Sequence, residues 1–290
     1  PVAAIISTGP PHSLHLIARG LKRQTKLPWI ADFRDPWTQI DWFEQLPLTK
    51  WGLGLHKRLE QSIFQEADEL VVVSRDMQTQ MEKLAQRTVH LISNGFAPSD
   101  FQSFVKQPDP HFTILHTGSI NKDRNPSALW ESLAAFVEQN PNVAKQLRIR
   151  LIGALDASVL HDLERFHLTS YTHFETFVPH EKVIEELASC SLLLLPLNNV
   201  KSQKGIVTGK VFEYLASEQP ILAIGPADGD AAAILNEQEG TLMVPFETAV
   251  PWSKVMALCD TKPNRKETLL PYSRAELAKK MHQLLETLCA

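Results

Sequence analysis

In GIVTGKVFEYLASEQPILAIG, residues 205–225, Lys210 and Glu213 open a short apolar stretch that follows a glycine-bracketed loop. Thr208, Gly209 and Lys210 fall at the expected start of a helix, where free backbone N–H groups, a hydroxyl and an ammonium could hold a diphosphate. Glu213 lies one turn on, within reach of the vicinal hydroxyls of a ribose. The ordinary alternative is that Glu213 favours the helix dipole and Lys210 is solvated. What favours the site is the length of the preceding segment, NNVKSQKGIVTGK, which is long for a strand-to-helix connection.

Other segments carry comparable groups. In HTGSINKDRNPS, residues 116–127, Gly118 permits a tight turn, Ser119 can donate to a phosphate oxygen and Arg124 brings a permanent charge to the next helix start. A polar connection with a solvated arginine is the plain alternative. Asp32, Arg34 and Asp35 in DFRDPW alternate acid and base at a strand end beside Trp37, either as chemistry or as a structural Arg–Asp network. In TGPPHSLH, Thr8 and Gly9 end a strand, the prolines stiffen the turn, Ser13 can cap the helix, and His12 and His15 flank that cap. Asp228-Gly229-Asp230 spells a D-x-D metal signature, but it precedes an alanine-rich helix, where capping is the more economical role. No His, Asp or Glu group has metal-ligand spacing, so no metal is expected.

Short apolar runs alternating with amphipathic stretches must position these groups, the pattern of parallel sheets wrapped by helices. Strands are expected at 2–6, 28–33, 69–73 and 89–92, with helical spacing in Leu14, Ile17, Ala18 and Leu21 and again in Leu55, Leu59 and Ile63. After the turn-rich 93–110 the pattern restarts, with strands at 113–117, 147–152, 173–178, 191–196, 221–224 and 241–245. Helices are expected near 126–138, 157–166, 181–189, 210–217, 230–237 and 251–258, and a last one at 273–288. The expected class is α/β: two Rossmann-like, doubly wound domains facing a cleft, the first of them incomplete because it shows only four strands. Their bounds are 1–103 and 104–272, with 273–290 packing back toward the first. Opening on proline and entering a strand at once, the chain reads as a fragment whose upstream part is missing.

Composition bounds the function. Over 290 residues, 43% hydrophobic and 21% charged content is that of an ordinary globular protein, and a net charge of -4 argues against a nucleic-acid partner. Three dispersed cysteines make neither a disulfide framework nor a zinc cluster, which points to a reducing cytoplasm. No apolar run reaches the ~20 residues a membrane span needs. Trp42, Phe43 and Trp51 with Lys50, Lys57 and Arg58 could face lipid, against the more ordinary role of helix packing.

GKVFEYLASEQPILA resembles the donor-site helix of GT-B nucleotide-sugar glycosyltransferases, in particular glycosyltransferase family four (the group 1 transferases). HTGSINKDRNPSALWESL is similar to the strand, glycine turn and basic residue of that family's donor domain, and SNGFAPSDF to its interdomain linker. TGPPHSLHLIARGLKRQTKLPWIADFRDPW resembles the acceptor domain of one bacterial subgroup. These matches cover nearly the whole chain. The resemblance implies that the diphosphate of a nucleoside-diphosphate sugar is held by Arg124 and at Gly118 and Ser119, its ribose by Glu213, and its base by backbone around Val178, Pro179 and His180. It implies transfer with retention to a glycan or lipid-linked acceptor, no cofactor beyond the donor substrate, and a cytoplasmic location that allows contact with the inner membrane face. Catalytic candidates are Arg34, Asp35 and His12, and acceptor-binding candidates are Thr8, His15, Asp32 and Trp37.

Three departures from the family pattern stand out. Ser119 replaces the first member of the family's basic pair. Gly205 stands where a glutamate normally touches the transferred sugar, leaving Lys201 or Lys204 as substitutes. Arg34 stands where many relatives have a histidine. A non-hydrolysing sugar-nucleotide epimerase, or a binding protein of the same fold without turnover, are the alternative readings.

Overall fold

The computed structural model describes residues 2–40, 43, 45–101 and 110–289. The chain forms two compact units, Pro1–Asn94 with Arg274–Ala290 and Gly95–Ser273. The sequence placed the boundaries at 103 and 272; here Gly95–Phe101 belongs to the second unit, and Phe96 bridges to Ser273 within it.

In the first unit β1 (Ile5–Gly9), β2 (Trp29–Phe33), β3 (Glu69–Val72) and β4 (His90–Leu91) pair in parallel in that order. Helices α1 (Ser13–Thr25), α2 (Lys50–Glu66) and α3 (Arg75–Ala85) connect them, and α12 (Arg274–Cys289) groups with this unit. β1 runs later than the apolar stretch 2–6. Polar Ser7 is tolerated inside it because Ser7 Oγ accepts from Trp29 Nε1 at 2.8 Å and meets His15 Nδ1 at 2.8 Å. Ser13 is not a cap: it is the first residue of α1, and His12 occupies the N-cap position without a side-chain cap bond. The sequence did not mark α3, a polar helix whose contribution to the core is Met77 and Met81, one turn apart.

The second unit is a six-stranded parallel sheet, β5 (Phe112–Thr117), β6 (Leu147–Ile152), β7 (Thr172–Glu175), β8 (Leu192–Pro196), β9 (Ile221–Ile224) and β10 (Thr241–Val244), in the spatial order β10-β9-β8-β5-β6-β7. Both faces are covered. On β8, Leu192 and Leu194 join one core with Leu129, Trp130 and Leu133 of α4 (Ser127–Gln139), while Leu193 and Leu195 join another with Val211, Phe212, Tyr214 and Leu215 of α8 (Gly209–Ala216). Burial on both faces is why β8 and β9 read as unbroken apolar runs, whereas β6 carries half-buried Arg148 and Arg150 and β7, at the sheet edge, is largely exposed. α6 (Ala157–Arg165), α7 (His180–Ser189), α9 (Asp230–Asn236) and α10 (Trp252–Cys259) lie where the periodicity placed them; the short α5 (Pro141–Gln146) was not anticipated.

Nor was the structure in TKPNRKETLLPY, where α11 (Lys266–Leu269) and a following 3-10 turn form around a buried arginine. Arg265 is 1% exposed. It donates from Nε to Glu239 O (2.7 Å), from Nη1 to Leu215 O (3.1 Å) and from Nη2 to Gln219 O (3.0 Å) and Gly240 O (3.2 Å). Burial pushes its pKa down to about 10, so the cation is retained at neutral pH. The guanidinium thus ties the C-terminal end of α8 to the loop before β10. Arg265→Met removes these donors from buried carbonyls, and the expected loss is roughly 3 kcal/mol, read as a lowered denaturation midpoint of the second unit.

Candidate functional site

The strand order sets the place where a ligand can enter. β5 begins the second unit's sheet at its centre, β6 and β7 extend it one way, and β8, β9 and β10 extend it the other. The connection leaving β5 runs to α4 on one face, whereas that leaving β8 runs to α8 on the opposite face. Loops that part in this manner leave a crevice at the carboxyl ends of β5 and β8, the topological switch point of the sheet.

Gly118, directly after β5, adopts φ +101, and a β-carbon on it would overlap Nζ and Cε of Lys210. The lysine side chain therefore lies over the glycine, joining the end of β5 to the start of α8. Tyr214 makes a second tie: its buried hydroxyl accepts from Thr117 N at 2.8 Å. Thr208 is the N-cap residue of α8, yet its side chain makes no cap bond, and Oγ1 is buried without a partner. Arg124, in a 3-10 turn over Lys122–Arg124, donates from Nε to Asn198 Oδ1 at 2.7 Å and from Nη1 to Ser119 O at 3.0 Å. Asn199 N donates to Asp123 O at 2.6 Å, fastening the two loops together.

These groups concentrate positive charge. Burial pulls the Lys210 pKa down to about 8; Arg124 acts in the same direction and Glu213 opposes them. Burial also lowers the Arg124 pKa. Beneath them His116, 1% exposed, has Nδ1 2.9 Å from Leu194 O, and its Nε2 is buried without a hydrogen-bond partner. Burial first, then Lys210, pushes its pKa down to about 3, so it is neutral and adds no third charge. A helix start with two desolvated cations and an unpartnered hydroxyl has the chemistry to receive an anion.

In the first unit the sequence candidates meet at the ends of β1 and β2. Asp32 is buried; it accepts from Thr8 Oγ1 at 3.1 Å and lies 3.6 Å from Arg34 Nη1. Burial raises its pKa against the opposing pull of Arg34 and Thr8. Arg34 Nη2 also donates to Asn94 Oδ1. His12 stacks on Trp37 with centroids 5.3 Å apart, and Trp37 Nε1 donates to His56 Nδ1 at 3.1 Å. Gly9 admits this packing: a β-carbon there would stand 2.8 Å from His15 Nε2 and 2.9 Å from His12 Nδ1. His15 is fully buried, and its pKa is pushed down to about 4 by burial and by His12. Thr8, Arg34 and Asp35 are the exposed members, while His15, Asp32 and Trp37 lie beneath them.

A scan against protein families finds no match, nor does a search of curated proteins. Solved structures do match. Sucrose-phosphate synthase from Thermosynechococcus elongatus superposes with a TM-score of 0.72 at 16% identity, covering 99% of this chain and 73% of that one. An alpha,alpha-trehalose-phosphate synthase (UDP-forming) from Burkholderia vietnamiensis gives 0.65 at 11% identity, covering 95% and 69%. A variant of S. aureus TarM, in complex with fondaparinux, alpha-GlcNAc-glycerol and UDP, gives 0.65 at 12% identity, covering 97% and 55%. The chain has the GT-B fold.

Within this GT-B chain the remaining candidates are placed as follows. Val178 is half-buried against the core, and His180 opens α7 with Nε2 3.5 Å from Asp100. Glu213 is half-buried on a helix whose other central residues are core. Asp228 pairs with Lys204 at 2.5 Å, and the N-cap of α9 is Gly229 with no side-chain cap, so Asp228 serves as an ion-pair partner rather than a cap. Among the described residues no cluster of His, Cys, Asp and Glu is placed to hold a metal, and no helix is long and apolar enough to cross a membrane. Phe43 is core; Trp51, Lys50, Lys57 and Arg58 are exposed; Trp42 lies outside the described residues.

His116, Asn198 and Tyr214 are part of the candidate site's framework but were not picked out from the sequence. The first two had a legible signal, since each is a polar residue at the carboxyl end of an apolar strand. Tyr214 reads simply as core.

Lys210 makes the site pH-dependent. A bound anion favours the protonated amine, so affinity is full below the free-state pKa of about 8 and falls as pH rises above it. Calorimetry with a nucleoside diphosphate above pH 8, in buffers of different ionisation enthalpy, should show proton uptake that Lys210→Met abolishes. Gly118→Ala should abolish binding as well, by displacing the ammonium.

Proposed function

We propose that this protein is a glycosyltransferase that moves a sugar from a nucleoside-diphosphate sugar to a glycan or lipid-linked acceptor. The observation that carries this reading is the convergence of Lys210, Arg124 and the unpartnered Thr208 hydroxyl on one helix start at the switch point of the second sheet. Solved neighbours of the same fold include sugar-phosphate synthases and a protein bound to UDP, which supports the same direction.

On this reading the diphosphate rests on Ser119, Arg124, Thr208, Gly209 and Lys210, the ribose on Glu213, and the base at the turn holding Val178 and His180. The bond between the anomeric carbon and the diphosphate oxygen breaks, with its electron pair going to the diphosphate. The acceptor hydroxyl forms the new bond and its proton passes to the departing oxygen. Fixed cations and N–H groups stabilise the charge that develops on the leaving group, which is the protein's main contribution to lowering the barrier. Bond making and breaking on one face would give retention.

The acceptor is assigned to the first unit. Thr8 offers a hydroxyl, Arg34 and Asp35 offer exposed charge, and His12 is fixed by stacking on Trp37. Buried His15 and Asp32 hold that surface in place instead of touching the acceptor. Synthesis of cell-surface polysaccharide in a bacterial cytoplasm, with exposed Trp51 and its basic neighbours on α2 meeting the membrane face, is the setting that fits such acceptors.

Titration with a panel of nucleoside diphosphates should find one that binds, and Glu213→Ala and Arg124→Ala should each weaken it about tenfold or more without unfolding the second unit. Unchanged affinity in both variants would sink the assignment. Turnover of a donor with acceptor marks a transferase; conversion without acceptor marks an epimerase; binding alone marks a protein that has lost turnover, as the glycine at 205 would allow.

A further inference from the structure

The structure assigns Asn198 as the positioning residue of the anion site: its side-chain amide aims the Arg124 guanidinium at the diphosphate while leaving the charge unneutralised. This rests on the proposed donor site and identifies a residue that site depends on.

An arginine side chain is long and, free in solvent, samples many rotamers; fixing it before a ligand arrives removes an entropic cost from binding. Arg124 is fixed at two points. Its Nε donates to Asn198 Oδ1 at 2.7 Å and its Nη1 to Ser119 O at 3.0 Å, so the planar fork is held through two of its three nitrogens. Both acceptors are neutral amide oxygens. Among the described residues no carboxylate forms an ion pair with Arg124, in contrast to Arg150, which meets Glu175 at 2.8 Å and Glu186 at 2.9 Å on the same sheet. Arg150 is a structural arginine with its charge compensated; Arg124 is oriented without compensation.

The residue that does the orienting is itself held in place. Asn198 follows β8, and the next backbone N–H, of Asn199, donates to Asp123 O at 2.6 Å, one residue before Arg124. The loop after β8 therefore reaches across the switch point and grips the 3-10 turn that carries the arginine. Of the two neutral acceptors, Ser119 O belongs to the backbone of the arginine's own loop, and only Asn198 Oδ1 comes from the other side of the crevice. Asparagine suits this place because its oxygen accepts from the guanidinium as a carboxylate would, without a formal charge.

Asn198→Asp separates geometry from charge. The carboxylate keeps the bond to Arg124 Nε, so the fold and the arginine's position are kept, but the local charge falls by one. We expect Asn198→Asp to melt at or above the wild-type temperature and yet to bind inorganic pyrophosphate and the preferred nucleoside diphosphate at least about tenfold more weakly. Asn198→Ala should weaken both ligands without lowering the melting temperature appreciably. In an Arg124→Ala background Asn198→Ala should have no further effect on affinity, whereas the carboxylate of Asn198→Asp still repels the anion directly. Wild-type affinity in Asn198→Asp would overturn the inference, as would a loss in Asn198→Ala that persists undiminished in the Arg124→Ala background or that tracks a fall in melting temperature, since a purely structural asparagine behaves in that way. If the wild-type chain binds neither pyrophosphate nor any nucleoside diphosphate, the donor-site reading fails, and the role of Asn198 fails with it.

Discussion

The arrangement of the second unit turns on the approach of Lys210 to Gly118. Two chain segments that leave a parallel sheet toward opposite faces have no reason to stay close beyond the strand ends, and here they approach until a β-carbon on Gly118 would overlap the Lys210 ammonium. The glycine must accept a positive φ in the turn after β5, and it must lack a side chain because Lys210 fills that space. Everything chemically distinctive nearby is arranged around it. Tyr214 ties the end of β5 to α8 from below, and the Asn199–Asp123 bond ties the outer loops from above. The crevice is thus a fixed feature of the sheet order, made narrow by a few polar contacts.

That closeness has an electrostatic consequence. Lys210 and Arg124 repel each other in a partly dry setting, and among the described residues no carboxylate forms an ion pair with either; Glu213 favours the charged Lys210, less strongly than burial and Arg124 oppose it. Unrelieved positive charge costs stability, and such sites persist where a ligand supplies the missing anion. His116 fits the same logic. A protonated imidazole under two cations would worsen the repulsion, and burial together with Lys210 keeps it neutral throughout the physiological range.

Much of the fold was legible because burial on both faces leaves apolar runs in the strands, and amphipathic helices alternate with them. The site was legible where chemistry and punctuation coincide: Gly118 and the Thr208-Gly209-Lys210 helix start are each a turn signal beside a polar group. What escaped was of two kinds. Arg265 and α11 were hidden because a buried arginine satisfied by carbonyls looks in sequence like any loop arginine. Ser7 and the true extent of β1 were hidden because partners at Trp29 and His15 make a polar residue acceptable inside a strand, and those partners are 22 and 8 positions away. In both cases long-range hydrogen bonding overrode local composition.

Gly205 stands where the resemblance implies a glutamate, and the loop around it is built without that carboxylate. Residues Gln203–Gly205 form a 3-10 turn packed against the start of α9, and Gly229 is required to lie close to Lys204 there. Lys204 is engaged by Asp228, so it is no ready substitute for the glutamate that the resemblance places at position 205. The polar group this turn has left is the Gln203 side chain, whose Oε1 is buried and unpartnered. An amide can both accept from and donate to sugar hydroxyls, but it carries no charge to compete with the diphosphate for Lys210 and Arg124. On the proposed donor reading, a turn that offers an amide and no carboxylate would leave the charge of Lys210 and Arg124 to the diphosphate and would meet the sugar with neutral hydrogen bonds alone.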